Sequence, residues 1–453
     1  MIDFVTHTID ELCEFTNGFV FKSSDYIEKS EQTIEVFRMG YIKRGGGFKE
    51  DSTPVFVPKN YGRDLSKYLL RKDDILIAMT DMKDKVAILA NTARIKDDKR
   101  FVLNQRVGCL RVKDTEFLDP TFLYFYTNYG PHIAYLRSRA NSGVQVNLST
   151  SAIKECEITI PNIKVQKAIA SVLGALDDKI ENNRRMNETL EEMARAIFKS
   201  WFVDFDPVHA KAAGNAPAHM DADTAALFPS SFGDGGLPVG WLELPLSDVT
   251  TRITKGTTPT KGDMALASNE VAQVNFLKVN MVSSEGVILK DKLETIPNSI
   301  HLSKLKRSIL KKDDVLYSIA GTIGRVVSVS DEILPANTNQ ALAIISPNTN
   351  IVPAGFIRLT MSRPDIQSSL NSSVVQGVQA NLGLGVISNQ VAVFPPADQI
   401  FSIFEKIRLL LEKKQMNQLE NEALTELRDT LLPKLMSGEI RVTDAKSEVE
   451  AAV

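Results

Sequence analysis

Leu70-Arg-Lys-Asp-Asp-Ile-Leu76 returns 240 residues later as Leu310-Lys-Lys-Asp-Asp-Val-Leu316. Working outward, Gly143-Val-Gln-Val-Asn-Leu148 returns as Gly377-Val-Gln-Ala-Asn-Leu382 at an offset of 234. Ile160-Pro161 followed by Gln166 returns as Phe394-Pro395 followed by Gln399, and Leu12 matches Leu246, again at 234. One such echo is compatible with chance; several in the same order at nearly constant spacing indicate a tandem duplication of about 200 residues per copy. In each copy, short β-like runs broken by Gly and Pro, such as Asp74–Met79 and Arg325–Val329, lead past a proline into a long helical stretch, 164–204 and then 398–437. The expected fold class is therefore α+β: two tandem globular domains, each followed by a long helix. The boundaries expected are a first domain over 1–160, a helix over 161–206, an Ala-, Gly- and Pro-rich linker over 207–240, a second domain over 241–396, a helix over 397–440 and a disordered tail over 441–453.

The helices carry a repeat of their own. Steps alternating four and three pick out Ile169, Leu173, Leu176, Ile180, Asn183, Asn187, Leu190, Ala194, Ile197 and Trp201. Adding 234 gives Ile403, Ile407, Leu410, Lys414, Asn417, Asn421, Leu424, Arg428, Leu431 and Leu435. This is coiled-coil spacing, apolar toward both ends and polar in the middle, with the second copy weakened by Lys414 and Arg428. Antiparallel pairing about the centres would set Asn183 against Asn421 and Asn187 against Asn417, a polar device that fixes register. The alternative is that the seam opens and these four amides face water. The paired form implies a rod of roughly 50 Å, at about 1.5 Å per residue, which suits two readers on a spacer and a split target.

At 453 residues the chain exceeds one ordinary core, and with 43% hydrophobic and 24% charged residues it has no bias toward disorder. No secretion signal and no membrane-length apolar run is found, so a cytoplasmic protein with no membrane association is expected. Cys13, Cys109 and Cys156 match no zinc or redox spacing and read as buried thiols. The net charge of −3 is unevenly spread. Residues 38–72 hold nine basic side chains (Arg38, Lys43, Arg44, Lys49, Lys59, Arg63, Lys67, Arg71, Lys72) against three acids, and the window 278–312 holds eight against three. Glycine-rich stretches accompany them, Lys43-Arg-Gly-Gly-Gly-Phe48 and Lys255-Gly-Thr-Thr-Pro-Thr-Lys-Gly262, where backbone N–H groups could approach phosphates. A solvated basic face is the bland alternative; recurrence in both copies favours DNA.

The duplication also sorts framework from reader. Groups shared by both copies, such as Lys72-Asp-Asp74 and Gly143 with their echoes, belong to framework, whereas base-reading side chains should differ. Differing candidates are Arg38, Arg44, Arg63, Asp81, Lys83 and Lys85 in the first copy and Lys261, Asn280, Thr322 and Arg325 in the second. Lys43, Lys49, Lys255, Thr257 and Lys278 complete the expected DNA-facing set. Gln145, Asn147, Gln379 and Asn381 suit adenine, but they are shared, so a structural turn competes. No catalytic, cofactor-binding or metal-binding set emerges: Gly321-Thr-Ile-Gly324 lacks nucleotide-loop spacing, Asp204-Phe-Asp-Pro207 does not form a methyltransferase loop, and His209 and His219 are ten apart.

Together the two repeated blocks, the stretch from Pro161 to Ile169, and the helical segments Lys179–Trp201 and Leu424–Ile440 resemble the specificity subunit of type I restriction-modification systems over essentially the whole chain. The resemblance implies two target-recognition domains, each reading half of an interrupted double-stranded DNA site. It also implies spacer helices that dock two methyltransferase subunits, and restriction subunits that join to translocate and cut. S-adenosylmethionine, ATP and Mg would then sit on partner subunits, and this chain would be a non-catalytic part of an adenine-methylating enzyme. The first copy departs from the pattern in having Asp81-Met-Lys-Asp84 where the second has Gly321-Thr-Ile-Gly324, which marks a variable loop. A solitary DNA-binding homodimer and an unrecognised nuclease are the rival readings, and a complex lacking restriction subunits is compatible with the same residues.

Overall fold

The computed structural model describes residues 4–49, 52–82, 86–96, 98, 101–141, 145–267, 269–284, 286–374 and 381–452. The chain divides into two compact units, Met1–Arg184 with Gln418–Val453, and Arg185–Asn417.

In the first unit an antiparallel sheet runs in the order Cys13–Asn17, Val107–Val112, Ile75–Ala78, Thr92–Arg94. A second sheet orders Phe56–Pro58, Thr33–Phe37 and Phe101–Leu103, with Phe37 parallel to Leu103. Ile75, Leu76, Ile77 and Ala78 are all buried, as a continuous apolar run in a strand paired on both edges should be. The helix Pro120–Thr127 starts on a proline and is capped by Asp119, which accepts from the Phe122 N–H at 2.8 Å.

The second unit repeats the topology. Its sheets order Thr250–Lys255, Leu342–Pro347, Val315–Ser318, Val326–Ser328, and Glu294–Pro297, Gln273–Leu277, Ala336–Thr338, with Leu277 parallel to Thr338. The repeated stretch that opened the sequence reading is the same turn twice. Asp73 and Asp313 take left-handed φ values of 69° and 67°. Asp74 accepts the Arg71 N–H at 2.7 Å, and Asp314 the Lys311 N–H at 2.9 Å. The buried carboxylates then take different cations: Asp74 is held bidentately by Arg111, Asp314 by Arg252 together with Ser346.

The first long helix spans Ile163–Phe202 and opens with the Asn162 side chain accepting the Val165 N–H; the second spans Ile400–Ser437. Their contacts are antiparallel. In the first unit Arg428 reaches Asp177 at 2.8 Å, Asn421 donates to the Ile180 carbonyl, and Asn183 donates to Glu420 at 2.7 Å. In the second unit Asn417 donates to Asn187 at 3.0 Å, and Lys414 reaches Glu191 at 2.9 Å. The expected Asn187–Asn417 contact is present, but among the described residues Asn183 makes no hydrogen bond to Asn421. The carboxylate of Glu420, one residue earlier, is a stronger acceptor than an amide oxygen and takes the Asn183 N–H.

Ile169, Leu173, Leu176, Leu190, Ile403, Ile407, Leu424, Leu431 and Leu435 are buried, while Ile180 and Leu410 are half-buried. At the end of the first helix the seam departs from expectation: Ile197 and Trp201 are half-buried, and Phe198 and Phe202 are fully buried in their place. A straight helix drifts about 20° per heptad against a 3.5-residue repeat, so the buried stripe has turned by one position. There it faces Phe356 and Trp241 rather than a coiled-coil partner.

Two further expectations change. The segment 207–240, expected as a linker, contains the helices Asp206–Ala212 and Ala222–Ala226 and buries Val208 and Phe228 in the second unit's core. The expected disordered tail forms a helix, Val442–Ala452, because Ala445 and Val449 fall four apart on one face and bury in the first unit.

Candidate nucleic-acid interface

In the first unit, Lys43, Arg44 and Lys49 are exposed on or beside a hairpin closed by an Ile42–Phe48 bridge. Gly45, Gly46 and Gly47 at its tip have φ values of 82°, 96° and 99°. A Cβ on Gly46 would lie 2.4 Å from the Asn128 side chain, so the close approach requires glycine. The amides of these glycines are already donated, from Gly45 to Asn91 Oδ1, Gly46 to the Lys43 carbonyl and Gly47 to the Thr92 carbonyl. The expected backbone cradle for phosphate is therefore absent here. The glycines shape the loop, and the flanking cations carry the charge.

Arg38 donates to the Thr53 carbonyl, while its Nε has no hydrogen-bond partner. With Lys49 it lines a cavity of about 520 Å³ that also involves Tyr26, Asn104, Gln105 and Arg106. Arg63 is exposed and lines a second cavity with Lys59 and Tyr61. Asp81 caps its own loop, accepting from the N–H groups of Ile88 at 2.7 Å and Leu89 at 3.2 Å, and so is bound up in framework rather than free to read. Gln145–Asn147 forms a short strand against Thr80–Met82, and the Asn147 amide donates to the Gln145 carbonyl at 3.2 Å. Lys83, Lys85 and Gly143 lie outside the described residues.

In the second unit Lys255, Thr257, Lys261, Asn280, Thr322 and Asn381 are exposed. The amides of Gly256 and Thr257 are donated to the Leu342 and Thr338 carbonyls, so this stretch too is pinned by its backbone. Lys278 pairs with Glu294 at 2.5 Å. Arg325 donates to the carbonyls of Val279 and Val282, acting as a strut between loops. Gln379 and Gly377 lie outside the described residues. The repeated blocks end on buried leucines, Leu148 and Leu382, whose N–H groups bond the Met79 and Ile319 carbonyls at 2.8 and 2.9 Å.

Sequence reasoning missed the turn Asn104-Gln105-Arg106, although Asn104-Gln105 returns as Asn339-Gln340. The structure aligns the two through equivalent bonds: Asn104 N–H to the Phe37 carbonyl and Asn339 N–H to the Leu277 carbonyl, Met79 N–H to Arg106 and Ile319 N–H to Ala341. The three cysteines are free and buried, and burial pushes the Cys13 thiol up to about 12 and that of Cys156 to about 11, so both stay protonated and unreactive. Burial lowers His132 to about 4. Among the described residues no helix is long and apolar enough to cross a membrane.

Comparison with known proteins agrees with this architecture. The family described as type I restriction modification DNA specificity domain matches residues 1–192 and 238–421. The specificity subunit of the type I restriction enzyme HindI from Haemophilus influenzae is 29% identical over 72% of this chain and 77% of its own. That of EcoBI from Escherichia coli is 22% identical over 96% of this chain and 85% of its own. The crystal structure of a type I restriction-modification S subunit from M. genitalium superposes with a TM-score of 0.54 at 17% identity, over 96% of both chains, a likeness of fold. With the family matching both halves of the duplication, the chain belongs to the type I restriction-modification DNA specificity family.

Proposed function

We propose that this chain is the DNA-reading subunit of a cytoplasmic type I restriction-modification complex and performs no catalysis itself. The observation that carries this reading is one scaffold built twice with different outward side chains. The aspartate turns, sheet orders and buried leucines agree between the units, whereas Arg38, Arg44 and Arg63 on one side and Asn280, Thr322 and Lys261 on the other do not. Such a chain reads a target in two blocks, one per domain, by side chains reaching base edges, while lysines and arginines neutralise phosphates. The paired long helices fix the unread gap and offer faces on which two methyltransferase subunits dock. Those partners bind S-adenosylmethionine and methylate adenine; restriction subunits using ATP and Mg complete the cutting form.

The test is the mass of the chain co-expressed with its neighbouring methyltransferase, followed by genomic methylation mapping. Two methyltransferases per chain and adenine methylation in one split motif are expected. Deleting one helical turn at 183–187 should change the gap and leave the bases unchanged. A homodimer that leaves DNA unmethylated would favour a solitary binder, and metal-dependent cleavage by the chain alone would favour a nuclease.

A further inference from the structure

We infer that Arg106 is a base-reading residue of the first domain, placed to bond the O6 and N7 edge of a guanine; this rests on the DNA-reading function proposed above. The turn that carries it is fixed by its backbone. The Asn104 N–H bonds the Phe37 carbonyl at 3.1 Å, the Gln105 N–H the Phe19 carbonyl at 2.8 Å, and the Arg106 carbonyl accepts from Met79 at 2.9 Å. Gly18 lies so close that a Cβ there would sit 1.9 Å from the Asn104 carbonyl oxygen, and Gly256 stands in the same relation to Asn339 at 2.1 Å. The platform is thus common to both domains. What differs is the residue on it: Arg106 in the first, Ala341 in the second.

The side chain is free where the backbone is not. Arg106 is exposed and makes no side-chain hydrogen bond or ion pair among the described residues. Its φ of 73° is left-handed, an uncommon setting for a residue with a Cβ and one that recurs at functional sites. It lines the same cavity as Arg38 and Lys49, and beneath that wall Arg38 Nε and Asn104 Oδ1 are buried without partners. Those two atoms lie below the surface, so the exposed Arg106 guanidinium is the group at this wall that a base edge would meet. In the second domain the same positions are closed: Asn339 Oδ1 accepts the Ala341 N–H, and Gln340 accepts from Thr258. Arginine is suited to guanine because its rigid planar fork matches the two acceptors, whereas a lysine brings a point charge on a flexible stem and fixes the geometry less well.

The experiment uses the full chain with its methyltransferase partners, comparing wild type with Arg106→Gly and Arg106→Lys. Glycine tolerates the left-handed backbone, so the turn survives, and lysine keeps the charge but loses the fork. Methylation mapping and competition binding should show discrimination at one base pair of one half-site falling about tenfold to a hundredfold in Arg106→Gly and by less in Arg106→Lys, with the other half-site unchanged. Normal discrimination in Arg106→Gly would overturn the assignment. So would a loss of affinity in Arg106→Gly that is uniform across sequences, which would make Arg106 a phosphate contact. A wild-type complex that methylates no split motif would overturn the DNA-reading function, and this assignment with it.

Discussion

The two units hold their recognition domain to the helix pair by different polar contacts at the same place. In the first, Arg428 on the second long helix meets Asp177 on the first at 2.8 Å beside Tyr124 of the domain, whose hydroxyl burial and Asp177 hold in its neutral form. In the second, Tyr124 has become Arg358, which grips Glu191 through two bonds of 3.0 and 3.1 Å while Lys414 bonds the same carboxylate at 2.9 Å. The duplication kept the packing and redistributed the charges. In both units a carboxylate on the first long helix takes a cation from the second, and in the second unit it takes a cation from the domain as well.

The sharpest way to break the comparison is Glu191→Ala. Glu191, Arg358 and Lys414 are each only about a tenth exposed, so removing the carboxylate strands two buried cations, while Arg195, which also bonds it at 2.9 Å, is half exposed and turns to water. Losing one partner of a buried pair costs about 3–5 kcal/mol, and hydrogen exchange over 185–417 should report it. A loss under about 1 kcal/mol would mean that the cations find other partners and that the triad is not the clamp. The same group gives the second unit an acid sensitivity. Burial by itself would raise the Glu191 carboxyl, but Arg358 and Lys414 outweigh it and hold the group at about 2, below its ordinary 4.5. The folded state then binds fewer protons than the unfolded one between those values. This stabilisation is complete above pH 4.5 and disappears as pH falls toward 2. Glu191→Gln should flatten that part of the pH profile.

Next in size is the amide pair. Asn417 is 2% exposed and donates to Asn187, so Asn417→Leu leaves a buried amide oxygen unpaired and should cost about 1–3 kcal/mol. Replacing both with Leu should recover that loss or exceed it, because polar seam residues serve register more than stability. If thermal melts of the double variant show the two losses simply adding, the pair acts through separate contacts and its role in register fails.

These polar contacts also mark how far a sequence alone can be read. The duplication and the aspartate turns were legible because a left-handed aspartate and its capping bonds demand the same residues twice. The seam of the second helix was legible even through Lys414 and Arg428, since each occupies a spacing fixed by apolar neighbours and finds its counter-charge across the pair. The choice of Glu420 over Asn421 was not, because periodicity fixes which face is buried but not which of two adjacent acceptors wins. Phe198 and Phe202 displaced Ile197 and Trp201 for a related reason, as helix straightness is set by what the helix packs on. Arg106 was hidden most completely. Its neighbours repeat, but its meaning depends on Gly18, Phe37 and Met79, which are distant in sequence and supply the platform.

The smallest expected effect sharpens the contrast between buried and open contacts. Lys179 bonds Glu420 at 3.1 Å, and the same carboxylate accepts from Asn183 at 2.7 Å. Here both charged side chains are about a third exposed, so water screens the attraction and solvates either partner left alone. Lys179→Ala should therefore cost about 0.5 kcal/mol or less, and 1 M salt should reduce even that, while Asn183 keeps Glu420 in place. A cost approaching that of Glu191→Ala, measured by hydrogen exchange over 163–184, would show that the first unit also depends on charge pairing. The asymmetry between the units would then be one of residue identity only, since both would be clamped with equal force.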